Sequence, residues 1–159
     1  MNWSFASREA VLKPSPIRTA FDTTHDKQVI SLAGGNPDVS LLPHNAIATI
    51  TQRLLNDRGA EILQYGSGAG IPQLREVLAD LMSQVGATGL CEHDLLITSG
   101  SQMGIDLVTK LLCNPGDTVL AEGPTYIGAL NVFASYEVAV EQLPIDTQGL
   151  DPEGVALAL

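Results

Sequence analysis

The sequence predicts an α/β fold, a mainly parallel sheet flanked by helices and preceded by an irregular N-terminal arm. Three observations carry this. From Asp94 onward short apolar runs alternate with amphipathic stretches, as strand–helix–strand units require when strands run parallel. Upstream, two segments carry apolar residues at helical spacing. The first 30 residues are instead broken by Pro14 and Pro16 and rich in Thr and Asp, which reads as an extended arm.

After the arm, Gly34-Gly35-Asn36-Pro37-Asp38 reads as a turn whose paired glycines allow close approach to the backbone. From Pro43, Ile47, Ile50 and Leu54 form a helical stripe that Asp57-Arg58-Gly59 should end. The run Gln64-Tyr65-Gly66-Ser67-Gly68-Ala69-Gly70 is too glycine-rich to be regular. Pro72 then opens a helix with Leu74, Val77, Leu78 and Leu81 on one face and Gly86 at its end. Strands are expected at Leu95–Thr98, Thr118–Ala121 and Val138–Leu143. Helices are expected at Met103–Leu112, with Ile105, Val108, Leu111 and Leu112 inward, and at Tyr126–Ser135. Asp151-Pro152-Glu153 is a strong helix start, with Val155, Leu157 and Leu159 beginning an apolar face. Only about two turns of that helix follow, short of the average of about 11 residues, so the sequence reads as part of a longer protein.

Composition narrows the function. With 159 residues, 45% hydrophobic and 16% charged, the chain is globular and long enough to bury a core. A net charge of -10 from 8 basic and 18 acidic residues argues against a nucleic-acid surface, because phosphate backbones demand a Lys/Arg footprint. Anionic membranes are disfavoured for the same reason, and no apolar run approaches the roughly 20 residues of a membrane span. Cys91 and Cys113 lack metal-ligand spacing and are expected reduced and structural, in a reducing compartment. The expected location is intracellular, cytoplasmic or mitochondrial matrix, with no secretory signal. His25, His44 and His93 are widely separated, so no metal site is assigned.

Two motifs carry chemistry. Ser99-Gly100-Ser101-Gln102 falls between an apolar run and an amphipathic helix, so backbone N–H groups at a helix N-terminus can receive an anion such as a phosphate. Gly100 lets the backbone approach, while the Ser101 hydroxyl and Gln102 amide add donors. The same tetrapeptide also fits a plain N-cap turn. Neither the dinucleotide nor the P-loop glycine pattern is present. Glu122-Gly123-Pro124-Thr125-Tyr126 leaves the carboxyl end of a strand, where open α/β sheets place ligands. Tyr126 there is either a shelf for a flat ring or a core aromatic. Tyr65 is a packing residue or a hydroxyl donor. Arg18, stiffened by Pro14 and Pro16, is a surface arginine or a bidentate partner for a carboxylate.

Taken in order, Ser15-Pro16-Ile17-Arg18-Thr19, Ile30-Ser31-Leu32-Ala33-Gly34-Gly35-Asn36-Pro37, Leu63-Gln64-Tyr65 with Gly70-Ile71-Pro72, Thr98-Ser99-Gly100-Ser101-Gln102, and Asn114-Pro115-Gly116-Asp117 with Glu122-Gly123-Pro124-Thr125-Tyr126 resemble the fold-type I pyridoxal-phosphate (PLP) aminotransferases of class I/II. The likeness is nearest to the kynurenine/2-aminoadipate aminotransferase group. It implies residues 1–30 as the arm and residues 31–159 as a part of the large PLP-binding domain.

By that resemblance Gly100, Ser101 and Gln102 would hold the cofactor phosphate and Tyr126 would stack on the pyridine ring. Tyr65 would reach a neighbouring subunit's site in a homodimer. Gly35 would meet the substrate's α-carboxylate through its backbone, and Arg18 would contact substrate. The reaction implied moves an amino group from an L-amino acid, kynurenine or 2-aminoadipate being candidates, to a 2-oxo acid. The Schiff-base lysine of the family has no counterpart among Lys13, Lys27 and Lys110, so this stretch alone is expected to be inactive and to bind PLP weakly or not at all. Two other readings stay open: a non-catalytic product acting through folding or dimerisation, and an unrelated phosphate-binding α/β module.

Overall fold

The computed structural model describes residues 4–12 and 37–159. The chain divides into two compact units, one holding residues 99–159 with the described N-terminal residues 4–12, the other residues 37–98.

The first unit is the strand–helix part. Helix α3 spans Ser101–Leu112, strand β1 Thr118–Gly123, helix α4 Ile127–Ser135, strand β2 Ala139–Asp146, strand β3 Gly149–Leu150 and helix α5 Pro152–Ala158. Strands β1 and β2 pair in parallel, from Thr118 opposite Ala139 to Gly123 opposite Pro144, with α4 as the crossover that parallel pairing needs. Strand β3 turns back antiparallel on β2, Ile145 facing Leu150, so the small sheet is mixed. Asn114-Pro115-Gly116-Asp117 is the expected turn into β1: Asp117 N–H donates to Asn114 O at 3.0 Å and Gly116 takes φ +90°. Asp151 caps α5 as its sequence requires, its carboxylate accepting from Glu153 N–H at 3.0 Å.

The buried residues of this unit are Thr109, Ala129, Val132, Val138 and Leu143. Thr109 satisfies its hydroxyl on Ile105 O at 2.8 Å. Helix α3 packs on α4, but not with the face expected. Ile105 is half-buried, whereas Leu111 and Leu112 are 79% and 75% exposed and Val108 is also exposed. The apolar stripe is wider than the strip that α4 covers, and periodicity cannot say which part is covered. In α5 likewise, Val155 is half-buried while Leu157 and Leu159 face outward. Within the expected irregular arm, Ser7–Val11 forms a 3-10 turn that packs on α4, and Ser7 Oγ donates to Glu137 Oε1 at 3.3 Å.

The second unit holds helix α1, His44–Ile62, and helix α2, Pro72–Gln84. Helix α1 does not stop at Gly59. Arg58 leaves helical geometry (φ -138°, ψ 26°), but its guanidinium pairs with the Glu61 carboxylate one turn on, and the helix continues past the kink. That pairing holds the Glu61 carboxyl below its ordinary range. Helix α2 begins at Pro72 and is closed by Gly86 at φ +100°. Its stripe too is only partly covered: Leu78 is half-buried, while Leu74, Val77 and Leu81 are exposed, and the buried residue, Ala79, lies beside the stripe.

Leu95–Thr98 is not a strand. Leu95 is extended, and Ile97 N–H donates to Ala69 O at 3.0 Å, but the segment forms no ladder among the described residues. It is held to the glycine-rich loop instead: Gly70, at φ +95°, lies so close that a Cβ on it would overlap the Ile97 side chain. Arg75 Nη1 donates to Glu92 O at 2.9 Å, fixing the 3-10 turn Glu92–Asp94 to α2. Asp94 accepts from Cys91 N–H at 2.9 Å, which holds its carboxyl below the ordinary range.

Candidate functional site: a helix start and an aromatic shelf

Helix α3 starts immediately after Gly100, which sits at φ +84°, ψ 169°. That conformation favours glycine, and a Cβ built there would meet nothing within 4 Å, so the space before the helix is open. The first turn of an α-helix leaves N–H groups without intrahelical acceptors. In α3 the N-cap residue is a glycine, which has no side chain to cap them, and the first turn carries no acidic residue. Ser101 and Gln102 are both exposed there, adding a hydroxyl and an amide. Backbone donors, a positive helix end and two neutral polar side chains form a donor set suited to a phosphate-sized dianion. Ser99 does not join it: its N–H donates to Met103 Sδ at 3.3 Å.

Ser101 also borders a cavity of about 570 Å³ with Gly104, Ile105, Val119 and Phe133. The start of α3 is therefore next to both β1 and α4. Strand β1 ends at Gly123, and Pro124-Thr125 leads to Tyr126, the N-cap of α4. Tyr126 is 54% exposed, so it is not part of the core of this unit among the described residues. Its ring lies against Gly128 in the first turn of α4, so closely that a Cβ on Gly128 would overlap Cζ, Oη and Cε1 of the phenol. One side of the ring is thus backed by peptide backbone.

Tyr65 belongs to the other unit and is fully exposed in the glycine-rich loop, packing on none of the described residues. Its N–H donates to Gln64 Oε1 at 2.9 Å. Arg18 and Gly35 lie outside the described residues. Cys91 and Cys113 are free thiols. Among the described residues no three His, Cys, Asp or Glu side chains converge on a metal position, and no helix is long and apolar enough to cross a membrane.

Sequence reasoning missed Met103, which engages the Ser99 amide, and Gly128, which lies beneath Tyr126. For Gly128 a signal existed: glycine in a helix costs about 1 kcal/mol relative to alanine, so its presence two residues after Tyr126 asks for a steric reason.

Comparison with known proteins places this architecture. The family model for aminotransferases of class I and II matches residues 27–159. Aromatic-amino-acid aminotransferase 1 of Thermococcus litoralis is 37% identical over 147 residues, covering 92% of this chain and 35% of that protein. Among solved structures, kynurenine aminotransferase of Pyrococcus horikoshii, in complex with PMP, superposes with a TM-score of 0.86 at 33% identity, over 98% of this chain and 38% of that one. The α-aminoadipate aminotransferase LysN of Thermus thermophilus, complexed with N-(5'-phosphopyridoxyl)-L-leucine, gives 0.83 at 30% identity, over 97% and 37%. The chain spans little more than a third of the length of these relatives. Because the family match over residues 27–159 takes in both the helix start after Gly100 and the exposed Tyr126 ring, the chain belongs to the class I and II aminotransferases.

Proposed function

We propose that the whole protein is a PLP-dependent aminotransferase that moves an amino group from an L-amino acid to a 2-oxo acid, with this stretch supplying the cofactor-grasping half of the site. The observation that carries the reading is the acid-free first turn of α3, with Ser101 and Gln102 exposed directly after Gly100, in one unit with the exposed Tyr126 ring at the end of β1. The donor set fits a cofactor phosphate, and the ring fits a pyridine face. When bound, PLP supplies the electron sink for the reaction, while the protein supplies binding, orientation and electrostatics.

In this reading the Gly100–Gln102 turn neutralises the phosphate and fixes one end of the cofactor. Tyr126 sets the tilt of its ring and shields one face from water. Full exposure of Tyr65 suits a hydroxyl that serves a neighbouring subunit in a homodimer. The Gly35 backbone is assigned to the substrate's α-carboxylate and Arg18 to a further contact with substrate, and the resemblance to kynurenine and aminoadipate enzymes makes those two amino acids the first substrates to try. The lysine that holds the cofactor covalently is assigned to the polypeptide outside this stretch.

Ser101→Ala and Tyr126→Ala, made in the whole protein, test the assignment. Both should weaken PLP binding in equilibrium dialysis. Only Ser101→Ala should also weaken binding of inorganic phosphate. Unchanged PLP affinity in both variants would refute the reading.

A further inference from the structure

The geometry points to Gly128 as the positioning residue for Tyr126: its lack of a side chain is the berth that holds the phenol at the edge of the site. This rests on the reading of Tyr126 as the shelf for the cofactor ring. Tyr126 caps α4 with extended backbone, φ -67° and ψ 118°, and its side chain turns back over the first turn of the helix it caps. There Cζ, Oη and Cε1 occupy the volume that a Cβ at position 128 would need. A side chain at position 128 would therefore require the phenol to shift from this seat.

The arrangement has a physical consequence. A half-exposed tyrosine is otherwise free to sweep among its rotamers, and ordering it on ligand binding costs entropy. Seated on backbone, the ring is already ordered before a ligand arrives, and preorganisation of this kind raises affinity by lowering that cost. Any side chain at position 128 would push the phenol off its seat or into a poorer rotamer. Helix propensity acts in the other direction, because alanine is the better helix former. A merely structural role for position 128 would thus make Gly128→Ala neutral or stabilising and leave ligands unaffected.

The test compares Gly128→Ala, Tyr126→Ala and the double variant in the whole protein, with PLP and inorganic phosphate as separate probes in equilibrium dialysis and thermal melting as the fold control. An off-rotamer tyrosine predicts PLP affinity lowered on the order of three- to tenfold in Gly128→Ala, phosphate affinity unchanged, and a double variant no weaker than Tyr126→Ala alone. If Tyr126→Ala weakens PLP binding and Gly128→Ala does not, the positioning role is overturned while the shelf stands. Should Tyr126→Ala leave PLP affinity unchanged, the shelf itself fails and the inference with it. A Gly128→Ala variant that cannot fold supports the contact if removal of the tyrosine ring in the double variant restores folding. Failure of both to fold overturns it, because the demand for glycine would then not come from the ring.

Discussion

The phenol of Tyr136 donates a 3.1 Å hydrogen bond to Asp106 Oδ1, tying the end of α4 to the middle of α3. Those two helices position Tyr126 and Ser101, so the bond fixes the frame of the candidate site from its far side. Partial burial, the hydrogen bond to Asp106 and the Asp106 charge push the Tyr136 phenol above its ordinary range, while Arg8 pulls it down. Because the folded-state value is raised, the stabilisation is fully present below about pH 10, the unfolded tyrosine value, and is lost as pH rises through the higher folded value. Tyr136→Phe should lower the melting temperature near neutral pH, and the gap to the parent should close in alkali. Tyrosinate absorbance in an alkaline titration checks the same point, since Tyr136 should ionise after an exposed tyrosine, and Asp106→Asn should bring it earlier.

Gly70→Ala should destabilise the second unit by about 2 kcal/mol or more, combining a left-handed backbone with an overlap in packing. Gly70 sits at φ +95° and would drive a methyl group into Ile97, whose N–H is bonded to Ala69 O. Gly68 is the matched control, two residues away with open space around it. Gly68→Ala should stay within about 0.5 kcal/mol of the parent. Denaturant titration of the two variants measures the difference, and equal effects would mean that the Gly70–Ile97 contact does not hold the loop.

Much of this frame is written locally. Pro72 and Asp151 mark helix starts because a fixed φ and a capping carboxylate act within one turn, and the Asn114–Asp117 turn needs only its own residues. The boundaries of β1, α4 and β2 fall close to the expected ones because those elements alternate in one βαβ unit. Leu95–Thr98 departs from expectation since a strand exists only where a partner lies beside it, and an apolar tetrapeptide does not name its partner. Helix α1 runs past Gly59 because the Arg58–Glu61 pair bridges a kink that residue preferences mark as an end. Leu111 and Leu157 show the same limit on burial: periodicity reveals an apolar face but not what covers it. At the site, Ser101 and Gln102 are legible from a helix start after an apolar run. Gly128 is only half legible: a glycine inside a helix asks for a steric reason, but the reason, a ring two residues back that folds over it, appears only in three dimensions.

Asp151→Ala should cost about 1 kcal/mol, the usual loss on removing an N-cap oxygen. Its carboxylate, at the N-cap of α5, accepts from Glu153 N–H. Since α5 has only 7 residues, few helical hydrogen bonds remain to offset the loss. Amide exchange at Glu153 and its neighbours should quicken in Asp151→Ala, while exchange in β1 stays as in the parent. Asp151→Asn, which keeps a capping oxygen, should retain most of the protection.

Lys110 supplies the sharpest check on how the site is divided between this stretch and the rest of the protein. It lies in the last turn of α3, nine residues after Ser101. At 3.6 residues per turn and 1.5 Å per residue, that is two and a half turns, about 13.5 Å along the axis and on the opposite face of the helix. A cofactor whose phosphate is seated at Ser101 therefore has Lys110 on the wrong side of α3. Borohydride reduction of this chain in the presence of PLP, followed by peptide mass mapping, should fix no specific phosphopyridoxyl group at Lys110, and Lys110→Ala should leave PLP affinity unchanged. Stoichiometric labelling of Lys110 that disappears in Ser101→Ala would show the opposite, a lysine working with the phosphate turn inside this stretch, and would overturn the assignment of the covalent lysine to the polypeptide outside it.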